Sequence, residues 1–273
     1  MARKKKRGFE RLLVLNDLHC GHVVGLTPPA WWLGEYAEGD NKVLREHQQE
    51  LWNWFTVAVD SIKPVDYLVV NGDAIDGKGL KSGGTEQQTA ARNVQCKMAA
   101  RCIDYVGAKE VGLIHGTAYH DGGQEDWSHV IAAMCDTPVM FISGHKFFKL
   151  EDWMWDFKHK VGRSSIPHGQ ATPLKRAKLW NLIWNSRNKQ QPKADFLVRS
   201  HVHYFCEDYD EVTQCRGFIT AALQGYGSKY GVRECENTVD IGILFFDVTE
   251  DNVTCRAKKA TELCQQKCDV ISR

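Results

Sequence analysis

The sequence predicts an α/β fold on two observations. Short β-branched or aliphatic runs alternate with helix-period patterns through residue 200, and metal-ligand residue types stand directly after five of those runs. The strand candidates are 11–16, 66–71, 110–115, 139–143, 153–159, 195–200, 217–223 and 240–248. A first helix is expected over 41–62, where Leu44, Leu51, Phe55, Ala58 and Ile62 recur at helical spacing before Lys63-Pro64. A second is expected over 85–106. The capping-box pair Thr85 and Gln88 opens it, Ala91, Val94, Met98, Cys102 and Tyr105 share one face, and Gly107 stops it. A third begins near Thr172-Pro173, with proline at the first helical position and Leu174, Ala177 and Trp184 in its apolar stripe. From about Phe196 strands follow one another without helices, which predicts an antiparallel or mixed sheet there.

Composition fits this reading. The chain has 273 residues, 25% of them charged, and a net charge of +1, which excludes a strongly basic nucleic-acid coat or an acidic tail. No apolar run approaches the roughly 18–20 residues that cross a bilayer, so no membrane partner is expected. The apolar stretch Leu12 to Leu15 behind the basic run Arg3 to Arg7 is too short for a signal-peptide core. The ten cysteines include no C-x-x-C pair, and they read as reduced, mostly buried thiols of a cytoplasmic protein. With no internal repeat and no linker rich in Pro, Gly or Ser, residues 9–273 read as one domain behind a basic, disordered tail, 1–8.

The chemistry is concentrated at strand ends. Asp17 and His19 follow the first run, Asp73 the second, and Thr117 and His120 the third; His159 closes 153–159, and His201 with His203 follows 195–200. In open α/β sheets ligands bind beyond the carboxyl ends of strands, so these segments can converge on one crevice. Histidine with carboxylate suits Zn, Mn or Fe better than Ca or Mg, and two such ions roughly 3.5–4 Å apart need a shared carboxylate. Asp73 is the natural bridge, on a turn where Gly72 lets the backbone bend sharply.

At these residues the sequence resembles the calcineurin-like metallophosphoesterase superfamily, with the motifs D-x-H, G-D, G-N-H-D/E, a lone His and G-H-x-H in that order. The stretches here are Asp17-Leu18-His19, Gly72-Asp73, Gly116-Thr117-Ala118-Tyr119-His120-Asp121, His159 and Ser200-His201-Val202-His203. Spacing and the G-T-x-x-H variant look most like phage-borne members, which implies a host cytoplasm.

The resemblance implies a central β-sandwich flanked by helices. It implies Asp17, His19, Asp73 and His203 around one divalent ion and Asp73, His159 and His201 around another, with Mn favoured over Fe or Zn. It further implies hydrolysis of a phosphate ester by water activated between the ions, with His120 as general acid. Phosphodiesters, of nucleotides or nucleic acid, rank ahead of phosphomonoesters or phosphoproteins. A metal-binding scaffold with weak turnover is the alternative of another class. Two departures stand out. Thr117 replaces the family's asparagine ligand, and either its hydroxyl or a water takes that place; Ser200 replaces a glycine. The remaining polar residues have plainer readings. Asn71, Asp76 and Asp121 shape turns, His22 and Arg163 are solvated loop residues, His168 lies in a loop after Pro167, and Trp31-Trp32 pack over the core.

Overall fold

The computed structural model describes residues 8–34, 40–79, 83–121, 126–164, 166–187, 190–225 and 239–264. The Arg3–Arg7 run, the side chain of Asp121 and the thiols of Cys235, Cys264 and Cys268 lie outside the described residues.

Two sheets stack face to face. The first has the order β11-β10-β1-β2-β3-β4, from β1 (Glu10–Leu15), β2 (Tyr67–Asn71), β3 (Glu110–Ile114), β4 (Val139–Ser143), β10 (Gly242–Val248) and β11 (Val253–Lys259). Strands β1 to β4 run parallel, and β10 and β11 extend the sheet antiparallel beside β1. The second has the order β5-β6-β7-β9-β8, from β5 (Lys146–Leu150), β6 (Trp153–Lys160), β7 (Phe196–Ser200), β8 (Cys206–Asp210) and β9 (Cys215–Ile219). There β6, β7 and β9 are parallel while β5 and β8 are antiparallel, so the C-terminal half is mixed as expected.

Alternation along each strand builds three apolar layers. Leu12 and Val14 face the second sheet and pack with Trp155, Phe157, Val198, Phe218 and Phe246. Their neighbours Leu13 and Leu15 face α1 (Asp40–Asp60) and α2 (Arg92–Val106), meeting Leu51, Phe55, Ala99 and Ile103. On the outer side of the second sheet Leu197 and Ile219 meet Leu174 of α5 (Thr172–Ser186). This is the sandwich flanked by helices that the resemblance implies.

Several expectations need correction. Helix α2 starts at Arg92, and Thr85 and Gln88 form no capping box: the N-cap is Ala91, without a side-chain bond. The preceding segment is held instead by long-range hydrogen bonds, with Val23 N donating to Glu86 O at 2.9 Å and Gln88 N to Gly21 O at 2.8 Å, so tertiary partners outcompete the local cap. Gly107 does stop the helix, in the left-handed conformation at φ 67°. A short α3 (Ala118–Asp121) and α4 (Trp127–Met134), capped by Asp126, were not expected, nor were β5, β8 and β11. All three of those strands are sheet edges, where one side meets water and charged residues interrupt the apolar pattern. The strand expected over 217–223 runs Cys215–Ile219. Trp184 is 41% exposed and does not join the core. Trp31 and Trp32 pack against it as expected.

Candidate metal centre

The carboxyl ends of β1, β2, β6 and β7 meet at one end of the sandwich, and the backbone there is unusual. Seven described non-glycine residues have positive φ, and five are candidate ligands: Asp17 (47°), His19 (43°), Asp73 (48°), His201 (81°) and His203 (58°). Such conformations cost on the order of 1–3 kcal/mol each and persist where surrounding structure over-determines them. Here Asp17 N donates to Gly72 O and His19 N to Asp73 O, both at 3.0 Å, while Leu223 N donates to Asp17 O at 3.2 Å. The strand ends are thereby stitched into fixed loops that aim side chains inward.

Two glycines permit the approach. At Gly72 (φ 91°) a Cβ would fall 2.3 Å from His159 Nδ1, and at Gly116 one would fall 2.1 Å from Asp73 Oδ1.

Three overlapping triads result: Asp17–His19–His203, Asp73–His159–His201 and His19–Asp73–His120, the ligand-type atoms of each lying within 4.8 Å of one another. Asp17 Oδ2 accepts from Asn16 Nδ2 (2.6 Å) and His201 N (3.1 Å), which leaves Oδ1 facing the imidazoles of His203 (3.3 Å), His19 (3.8 Å) and His159 (3.9 Å). Asp73 Oδ1 accepts from Thr117 N (2.7 Å) and Thr117 Oγ1 (3.2 Å), while Oδ2 lies 3.0 Å from His159 Nε2 and 4.0 Å from His120 Nε2. Thr117 therefore positions Asp73 with both its backbone and its hydroxyl.

The imidazoles have fixed tautomers. Nδ1 of His19 donates to Asp76 Oδ1 (3.0 Å), Nδ1 of His120 to Asp76 O (2.8 Å) and Nδ1 of His159 to Asn71 O (2.7 Å), because each partner can only accept. Each Nε2 is thus left to face the centre. Asp17 Oδ1, His19 Nε2 and His159 Nε2 are buried without a hydrogen bond of normal geometry. Buried orphans of this kind require explanation, and a set of imidazole nitrogens and carboxylate oxygens with inward lone pairs fits divalent metal ions.

The electrostatics agree. Burial alone would raise the carboxyls of Asp17 and Asp73, but the imidazoles around them outweigh it and hold both well below the usual range. Burial would lower His159, yet Asp73 and Asp17 overcome it and raise the group to about 9. The result is a set of carboxylates held charged in a buried place.

Asp76 and Asn71 do more than shape turns. Asp76 orients His19 by its side chain and His120 by its carbonyl, and Gln87 Nε2 fixes its other oxygen at 2.9 Å. Asn71 anchors His159, and its Nδ2 donates to Ser200 Oγ (2.7 Å), itself 2.8 Å from Thr220 Oγ1. Ser200 is therefore a polar tie that glycine could not make. Asp76 stands three residues beyond Asp73, just before Gly77, which takes a positive φ. His22 is buried, not solvated, and burial pushes it down to about 4. Arg163 and His168 are exposed, and His168 lies in a separate short helix, Pro167–Gly169.

No protein-family model matches the sequence, and no curated protein matches it. It is similar in structure to Vps29 from Entamoeba histolytica complexed with Zn, at 11% identity and a TM-score of 0.40, covering 91% of this chain and 98% of that one. Vps29 from Cryptosporidium parvum gives 9% identity and a TM-score of 0.42, covering 92% and 97%. A conserved predicted phosphoesterase from Streptococcus pneumoniae gives 8% identity and a TM-score of 0.36, covering 91% and 98%.

Proposed function

We propose that the chain is a dinuclear metal-dependent phosphoesterase acting on phosphodiesters. The observation that carries this is the pair of triads at the strand ends, Asp17–His19–His203 and Asp73–His159–His201, with buried unpartnered atoms facing between them. Asp73 is the carboxylate both ions would share, and Thr117 either ligates by its hydroxyl or serves only to hold Asp73 in place. Two divalent ions, with Mn favoured, would supply an activated water and positive charge for phosphoryl oxygens.

The remaining chemistry belongs to the protein. Asp17 and Asp73 are kept ionised by their surroundings, and His19 and His159 present Nε2 in fixed tautomers. His120 is 17% exposed at its side chain, where it can reach a substrate, and its Nδ1 is engaged by Asp76 O. Nε2 is then the atom that passes a proton to the leaving oxygen. Burial and the nearby His19 lower its pKa, and an anionic phosphate beside it would raise it again, so that the acid form arises when substrate is bound.

The test is metal analysis joined to hydrolysis assays that compare small mono-, di- and cyclic phosphate esters with single-stranded and duplex nucleic acid. Two ions per chain with diester turnover are expected. Metal binding without turnover of any ester would favour a scaffold instead, and a preference for monoesters would move the substrate class.

A further inference from the structure

The outer face of the second sheet carries a cavity of about 380 Å³ between β6 and α5, on the side opposite the sandwich core. Its chemistry differs from that of the metal centre. On α5, Arg176, Trp180 and Trp184 stand four residues apart and form one stripe. Trp180 is 53% and Trp184 41% exposed, the largest side chains on the described surface left so open. On β6, Lys158 and Lys160 alternate outward on either side of His159, which points inward to the metal centre.

The charge of the cavity is one-sided. Among the described lining residues the only carboxylate, Asp156, is consumed by Arg199 at 3.0 and 2.9 Å and by His145 at 2.8 Å. Lys158, Lys160 and Arg176 line the same cavity and make no ion pair with a described residue. Unneutralised cations beside two open indole rings match a ligand that carries both a flat π-face and a phosphate. The second sheet joins this cavity to the metal centre through consecutive residues of one strand.

We propose that this cavity is a nucleotide-binding subsite, in which Trp180 and Trp184 stack on bases and Lys158, Lys160 and Arg176 hold phosphates. The unit is recognised either within a single strand of nucleic acid or as a free nucleotide. The proposal deepens the phosphodiesterase reading and rests on it for its relation to substrate, while the binding itself is measurable without turnover.

The experiment is fluorescence anisotropy of the full chain with a labelled oligo(dT) of about a dozen nucleotides in EDTA, with dTMP as competitor. Trp180→Ala and Trp184→Ala are each expected to weaken binding about 5- to 150-fold, the range for one lost base stack. Trp184→Phe should recover part of that loss. Replacing Lys158, Lys160 and Arg176 with alanine should flatten the logarithmic salt dependence by about 2, at roughly 0.7 per phosphate contact on a single strand. Competition by dTMP at concentrations similar to those of the oligonucleotide, per nucleotide, would assign the site to a free nucleotide; much weaker competition assigns it to a strand. Unchanged affinity and salt slope in all variants would overturn the proposal. So would a concentration-dependent dimer in light scattering that the tryptophan variants abolish, since the face would then serve as a protein interface. Hydrolysis of a small diester by the wild type reports on the metal centre independently, so the two readings can fail separately.

Discussion

Asp76→Ala separates the two halves of the proposed metal centre. Asp76 acts on His19 through one hydrogen bond from Nδ1 at 3.0 Å, and among the described residues no hydrogen bond or ion pair joins its side chain to the Asp73–His159–His201 triad. Losing the partner of a ligating histidine typically costs about 10- to 100-fold in metal affinity, or about 1.4–2.7 kcal/mol. The lower end is expected here, because His19 also stands on a backbone fixed at φ 43°, so only the rotation of its ring is released. A second effect opposes the first. Burial lowers the pKa of His19, but the hydrogen bond and charge of Asp76 outweigh it and hold the imidazole above its ordinary value, where a proton competes with metal for Nε2. Removing Asp76 relieves that competition at low pH and has nothing to relieve at high pH. The measured loss should therefore grow from pH 6.5 to pH 9. Chelator-competition titration with Mn at the two pH values resolves one weakened and one unchanged ion. Equal weakening of both ions, or a loss that shrinks as pH rises, would refute the reasoning.

Three further outcomes are expected. Asp73→Asn should remove both activity and bound metal, as measured by elemental analysis, because an amide brings no charge to the position proposed to lie between two ions; near-normal turnover with two metals bound would dismiss the bridge. His120→Asn should retain metal yet slow turnover by about 10²–10⁴-fold, with the smallest loss on esters of good leaving groups; equal loss on poor and activated leaving groups would contradict an acid role. Asp156 lies in the sheet, buried beside Arg199; burial opposes its charge, but Arg199 and His145 outweigh burial and bring its pKa from 3.8 down to about 2. A depressed carboxylate stabilises the fold above its unfolded pKa and loses that contribution as pH falls through the folded one, here about 2 kcal/mol in all. Urea denaturation should accordingly show the stability gap between wild type and Asp156→Asn narrowing from pH 5 towards pH 3, and a constant gap would exclude the linkage.

The parts of this molecule that were legible in the sequence are those with two buried faces. Central strands such as β2, with Leu68, Val69 and Val70 all buried, announce themselves as unbroken apolar runs. Strand β8, Cys-Glu-Asp-Tyr-Asp, alternates half-buried with exposed residues at an edge, and its pairing with β9 is fixed by the neighbour rather than by its own composition. The ligand-type residues were legible because their order and strand context are linear in the chain. The groups that hold them were not. Asp76 reaches His19 across 57 positions, and Asn71 reaches Ser200 across 129, so no local pattern could join them. Trp184 of α5 belongs to the expected apolar stripe yet lies open for a different reason: helical spacing reveals a stripe but not whether another layer lies over it.

The two triads each draw on both sheets. Asp17 and His19 leave β1 and Asp73 leaves β2, whereas His159, His201 and His203 come from β6 and β7. His201 and Asp17, 184 positions apart in the chain, are already joined by a hydrogen bond, and that end of the sandwich can be completed only after both sheets have formed and docked. The ligand set is therefore complete only once the two sheets have docked. Contacts absent from the transition state govern how fast a protein comes apart rather than how fast it comes together. Ions held there would work as a latch across the mouth of the sandwich, prolonging the life of the folded chain while leaving its rate of folding almost untouched.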